Sequence, residues 1–120
     1  MALNRGNLGF PVQIGAGVTS AVYTVGSAQT AYIKSVLLHN LSQSETQNVQ
    51  IHVVQNSGGS AGTASSATRV ARIGISTNDT FFFEPAYPIT LSATGDTLQV
   101  HNEGFAADST NVLVLGDKEV

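Results

Sequence analysis

Gln47-Asn48-Val49-Gln50-Ile51-His52-Val53-Val54-Gln55 is the stretch on which the fold turns. Val49, Ile51 and Val53 point one way; Gln50, His52 and Val54 point the other. That two-residue period belongs to a β-strand with one buried and one wet face. Outward from it, Arg69 to Ile75 sets Ala71, Ile73 and Ile75 against Val70 and Arg72, and Thr97 to His101 turns Leu98 and Val100 inward. Ala21 to Val25 and Ala31 to Leu41 flank the turn Gly26-Ser27-Ala28-Gln29-Thr30, while Thr80 to Glu84, Ile89 to Leu91 and Asn111 to Leu115 complete eight strands. Pro85 and Pro88 stand between the fifth and sixth of these, Thr80 to Glu84 and Ile89 to Leu91, and proline cannot donate to a central ladder, so this region is an edge or a corner. No window keeps apolar residues at helical spacing, and 12 glycines interrupt the chain. The expected fold is all-β: an antiparallel two-sheet sandwich, jelly-roll-like, of about eight short strands. It spans residues 21–120, and residues 1–20 form an extended N-terminal arm.

Composition narrows the surface chemistry. The chain has 120 residues, a length for one domain, and charged side chains make up 11% of it, against about 25% in typical soluble domains. Ser, Thr, Asn and Gln instead number 39. The absence of cysteine excludes disulfides, Cys-ligated zinc and thiol nucleophiles. A net charge of −3 argues against a general phosphate-binding surface. Arg69 and Arg72 fall on opposite strand faces by parity, so no basic patch and no nucleic-acid partner is expected. The first twenty residues carry no apolar run of signal-peptide length, and no stretch approaches the ~20 residues of a spanning helix. Manufacture in a cytoplasm without membrane insertion is the simplest expectation.

No motif carries catalytic chemistry. Gly15-Ala16-Gly17 lacks the third glycine and the helix of a dinucleotide fingerprint. His39, His52 and His101 sit in strands without short ligand spacing; beside Gln50 and Gln99, the last two read as part of a polar outer surface. Carboxylates are scattered over turns and strand ends, and no Gly-x-Ser-x-Gly elbow exists. No catalytic residue, cofactor or metal ligand is assigned. Ser57 to Thr68 contains no side chain larger than Thr and is expected to be a mobile surface loop.

Three runs break the alternation: Val36-Leu37-Leu38, Phe81-Phe82-Phe83 and Val112 to Leu115. Each is either a bulged or innermost strand, or a face buried against a neighbouring subunit, because large apolar patches are rarely left in water. Phe82 stands out, its parity opposing Phe81 and Phe83. The arm adds Leu3, Leu8 and Phe10, spread among Gly, Asn and Gln. With Tyr87 and Phe105, these make the candidate interface set: Leu3, Leu8, Phe10, Phe82, Tyr87 and Phe105.

Val22-Tyr23-Thr24-Val25, the block Thr30-Ala31-Tyr32-Ile33-Lys34-Ser35-Val36-Leu37-Leu38-His39-Asn40, Ile51-His52-Val53-Val54 running into Ser57-Gly58-Gly59-Ser60-Ala61-Gly62, and Gly95-Asp96-Thr97-Leu98-Gln99-Val100 together resemble small virion structural proteins of tailed bacteriophages. The resemblance covers residues 21–116. It departs at the first turn, where those proteins often carry Pro-Ala-Gly and this chain has Gly26-Ser27-Ala28. It implies a non-enzymatic virion component: a capsid cement or decoration protein, or a tail or neck part. The implied partners are the major capsid protein and further copies of the chain, as a trimer. A carbohydrate-binding module touching the host surface, using Tyr23, Tyr32, Tyr87 and Phe105, is the alternative.

Overall fold

The computed structural model describes residues 3–104 and 108–119, with side chains from residue 6 onward. Ten strands and no helix are found among them: β1 Leu3–Asn7, β2 Val12–Ile14, β3 Thr19–Thr24, β4 Thr30–Asn40, β5 Gln47–Val54, β6 Arg69–Ile75, β7 Thr80–Phe83, β8 Ile89–Leu91, β9 Thr97–Asn102 and β10 Thr110–Glu119. No described helix is therefore long and apolar enough to cross a membrane.

The pairing is a long hairpin rolled on itself. β5 pairs β6, β4 pairs β7, β3 pairs β9 and β2 pairs β10, each antiparallel and each nested inside the next. Rolling such a hairpin brings β10 beside β4 and β9 beside β5. Two sheets result. Sheet A runs β1-β10-β4-β7, with β2 also on β10 and β8 also on β4; sheet B runs β3-β9-β5-β6. This is the jelly-roll arrangement that the strand pattern predicts. All eight strands read from the sequence are present, with β7 and β8 at the edge where the prolines place them.

Residues 1–20, expected as an arm, supply β1 and β2, whose described backbone is hydrogen bonded along β10. Ile14 of β2 is fully buried. The core between the sheets joins Ile33, Val36, Leu38, Val112 and Val114 of sheet A to Val49, Ile51, Leu98 and Val100 of sheet B. Burying side chains of this size stabilises by about 1.5–3 kcal/mol each before conformational entropy is counted.

Three single-residue bulges set which side chains face inward. Between β4 and β10 the register steps from Ser35–Leu115 to Ile33–Gly116, leaving Lys34 as the extra residue. Inward positions therefore switch from Ala31 and Ile33 to Val36, Leu38 and Asn40. Gly116 is required opposite the bulge, because a β-carbon there would collide with the Tyr32 carbonyl oxygen. A second bulge falls at Val22 of β3. The third, at Val70 of β6, pairs Ala71 with Ile51 but Arg69 with His52. It overturns the parity reading of the arginines: Arg69 and Arg72 share the outer face of sheet B, since a bulge shifts every residue beyond it by one.

Residues 57–68, expected as a mobile surface loop, lie on the surface without strand structure. They form a segment hydrogen bonded onto sheet B, with Gln99 Nε2 donating to the Gly62 carbonyl at 3.0 Å and the Val53 amide donating to the Thr68 carbonyl at 3.0 Å. The small residues let backbone lie against backbone: a β-carbon on Gly62 would collide with the Gln55 carbonyl oxygen. His52 and Gln99, read as a wet surface, are consequently buried.

Candidate interaction surface

The outer face of sheet A is built from the strands whose alternation failed. Leu37 of β4 lies directly between Phe82 of β7 and Leu113 of β10. The three side chains make one apolar row across three strands, pointing away from the core that Val36, Leu38, Val112 and Val114 fill on the other side. Cross-strand neighbours on one face stand about 4.5–5.5 Å apart, so the row is continuous. Pro11 joins it, lining with Leu37, His39, Asn111, Val112 and Leu113 a shallow hollow of about 200 Å³. That is smaller than the roughly 300–1,000 Å³ of a typical small-molecule site, and the hollow is apolar.

Neutral polar groups frame the row. On one side Thr80, His39 and Asn111 form the next cross-strand line, with His39 Nδ1 and the Thr80 hydroxyl 2.8 Å apart. At the far end of the face lie bonded charges: Lys34 Nζ is 2.7 Å from Asp117, and the Tyr32 hydroxyl donates to Glu119 at 3.1 Å. That bond, burial and the Glu119 charge raise the Tyr32 phenol above its ordinary value.

The sequence-derived interface residues distribute unevenly. Phe82 is 54% exposed, on the edge strand β7 at one end of the row. Phe10, beside Pro11, is 88% exposed, and Tyr87, between β7 and β8 at the sheet edge, is 85% exposed. Leu8 is half-buried against its own core. The Leu3 side chain and Phe105 lie outside the described residues. Leu37 and Leu113, absent from the candidate set, complete the row; the doubly apolar runs around them were the available signal. Of the four aromatics weighed for sugar binding, Phe105 lies outside the described residues; Tyr23 packs on the core, Tyr32 bonds Glu119 and Tyr87 is exposed between β7 and β8.

Sheet B presents a contrasting outer face. Arg72 donates to Glu103 through Nε at 2.7 Å and Nη2 at 2.9 Å, and Gln50 Nε2 donates to the same carboxylate at 2.8 Å. Those Arg72 and Gln50 bonds hold the Glu103 carboxyl down at about 2. The network continues through the other end of Gln50 to His52 Nε2 at 3.0 Å, and from His52 Nδ1 to the Thr68 hydroxyl at 2.9 Å. His101 is engaged separately, 2.8 Å from the Thr19 hydroxyl. Among the described residues no group of three His, Cys, Asp or Glu side chains is placed to hold a metal.

A two-sheet jelly roll with one apolar outer face can be set beside known proteins. No family model matches the chain, and no curated protein matches it. Eight chains among solved structures do. A chain of the T13 IBDV viral particle superposes with a TM-score of 0.50 at 10% identity, covering 98% of this chain and 34% of its own. A chain of the Bacillus endospore appendages, described as disulfide-linked pili, gives 0.43 at 20% identity over 99% and 87%. One from infectious bursal disease virus, Gt strain, gives 0.39 at 9% over 98% and 32%. The latter two superpositions are too loose to argue from. At these identities the first shares only the fold, and this chain spans about a third of its length. The jelly roll seen here is thus a fold that also occurs in a virus particle.

Proposed function

We propose that this protein is a structural component of a virus particle, and more specifically a capsid cement or decoration protein of a tailed bacteriophage. Its role is non-catalytic: it binds the major capsid protein and copies of itself, as a trimer, and so stabilises the shell. The observation that carries the reading is the in-register row Phe82, Leu37 and Leu113 on the outer face of sheet A, with Phe82 exposed and the two leucines half-buried. Large apolar area left on an outer face marks a protein-binding surface. A charge-poor surround lowers the desolvation cost of such contacts, because hydroxyls and amides need only hydrogen bonds to be buried. The fold shared with a viral-particle chain and the sequence blocks resembling phage virion proteins point the same way. Each copy contributes a limited interface, and symmetric clustering on a shell multiplies it.

The test is binding of the purified protein to phage particles lacking it. Saturable binding that raises the particles' heat resistance, and that is lost when Leu37 and Leu113 are both replaced by Glu, supports the reading. Equal binding by that variant overturns the role of the row. Labelling confined to the tail or neck, rather than the shell, moves the protein to that location, and a selective hit in a glycan screen replaces cementing by carbohydrate recognition.

A further inference from the structure

The segment that covers sheet B ends on an ionisable anchor. His52 is 4% exposed and Gln99 is 7% exposed, although both point outward from sheet B; residues 57–68 lie over them. The bonding fixes the ring's proton. Glu103, ionised and held by Arg72, can only accept, so Gln50 turns its amide nitrogen to it and its oxygen to His52. His52 Nε2 must therefore carry hydrogen, and Nδ1 of the neutral ring can only accept, with the Thr68 hydroxyl at 2.9 Å as its donor and the Ser65 carbonyl competing for that hydroxyl's proton at 3.0 Å. Thr68 Oγ1 at the same time accepts the Ser65 amide at 2.9 Å, closing the end of the covering segment.

Adding a proton at Nδ1 puts charge in a poor place. Thr68 must turn from donor to acceptor, its own proton going to the Ser65 carbonyl at 3.0 Å. The groups facing the ring are Arg69 and Arg72 from β6, His101 from β9 and Glu103 just after it, Gln50 from its own strand, and Thr68 and Ser65 from the covering segment. Glu103 is the single anion among them, and Arg72 already occupies it. An imidazolium under the closed segment is dry and among like charges, whereas lifting the segment lets water solvate it.

We infer that residues 57–68 form an acid-released flap, shut over His52 and Gln99 at neutral pH and lifted when His52 takes a proton, baring the polar outer face of sheet B. Burial, then the His101 and Arg69 charges, hold the imidazole below its ordinary 6.5, with the Ser65 backbone opposing them. A proton thus binds the open form more tightly than the closed one. Closure is at full strength above about 6.5, weakens as pH falls from there through the depressed closed-state value, and changes no further below it. Each pH unit between the two midpoints is a tenfold change in the opening equilibrium.

The experiment is a proton and nitrogen NMR titration of the full chain between pH 8 and 4.5, with His39 as an internal reference. The flap predicts a His52 ring midpoint below 6.5 and a loss of order in the Gly58–Ala67 amides, read by heteronuclear NOE, along the same curve. Thr68→Val removes the hydroxyl anchor; its flap amides should be disordered already at pH 7.5 and its His52 midpoint should rise. His52→Gln should show flap amides whose order no longer changes with pH. A His52 midpoint at or above 6.5, or flap amides that stay ordered while His52 titrates, overturns the inference. So does a Thr68→Val chain that is folded and unchanged in both readouts.

Discussion

The two outer faces of the sandwich are solved in opposite ways. On sheet B, polar side chains bond one another, Arg72 to Glu103 to Gln50 to His52, and residues 57–68 of the same chain lie over part of them. On sheet A, leucine and phenylalanine point outward in one row, partly flanked by Pro11, with Phe82 more than half exposed. A buried polar group is costly until bonded, so sheet B's outer face is completed internally. An apolar row has no such internal remedy except burial, and under the proposed function that burial comes from another molecule. The contrast separates a face completed within the chain from one that, under the proposed function, is completed by association.

Charging the apolar row should produce the largest effect. Leu37→Glu with Leu113→Glu should weaken particle binding by about a hundredfold, the scale expected when central anchor side chains are removed from an interface. The melting temperature should stay close to the parent's, because both side chains already face outward. A comparable loss of stability would mean that the row belongs to the fold and would erase the distinction between the faces.

Gly62→Val examines the other face. Its β-carbon meets the Gln55 carbonyl oxygen, so residues 57–68 should detach from sheet B at a cost of about 1–3 kcal/mol in chemical denaturation. Particle binding per folded molecule should be unaffected.

Glu103→Gln should destabilise by about 1 kcal/mol at pH 7, a modest figure because Arg72 is half exposed and the pair is screened. Glu103 has a depressed folded-state value near 2 against an ordinary 4.5. Its contribution is therefore fully present above about 4.5 and disappears as pH falls toward 2. Denaturation curves of parent and variant should converge over that window; a difference that persists at pH 2 would assign the effect to packing.

The smallest change in stability is expected at Phe82→Ala, under about 0.5 kcal/mol, since the ring is more than half exposed. Leu38→Ala, its inward counterpart on the neighbouring strand, should cost about 2–5 kcal/mol. Similar costs for the two would place Phe82 inside the fold.

The strands were legible because their signal is local. A two-residue period over Gln47–Val54 or Thr97–Asn102 needs no partner to be read, and proline marks β8 as an edge from its missing donor alone. β1 and β2 were not legible: Asn4, Gly6, Asn7 and Gln13 lack strand composition, and their pairing is supplied by β10 more than 90 residues away. The same holds for β10 beyond Leu115, where Gly116-Asp117-Lys118 reads as a turn until Tyr32 and Ala31 lie beside it. Phe82 was legible as an outward-facing residue from its parity, but Leu37 and Leu113 became its neighbours only through register across β7, β4 and β10.

By itself, then, the amino-acid order determined a charge-poor, cysteine-free β-sandwich, with three runs apolar on both faces and no catalytic motif. The tertiary structure decided the rest. It aligned those runs into one row on sheet A, used a bulge at Val70 to bring Arg69 and Arg72 to one side, and laid a glycine- and serine-rich segment over His52. The physical reason is range. Alternation is written within a strand, whereas register, bulges and the covering of a face depend on which distant backbone groups satisfy one another.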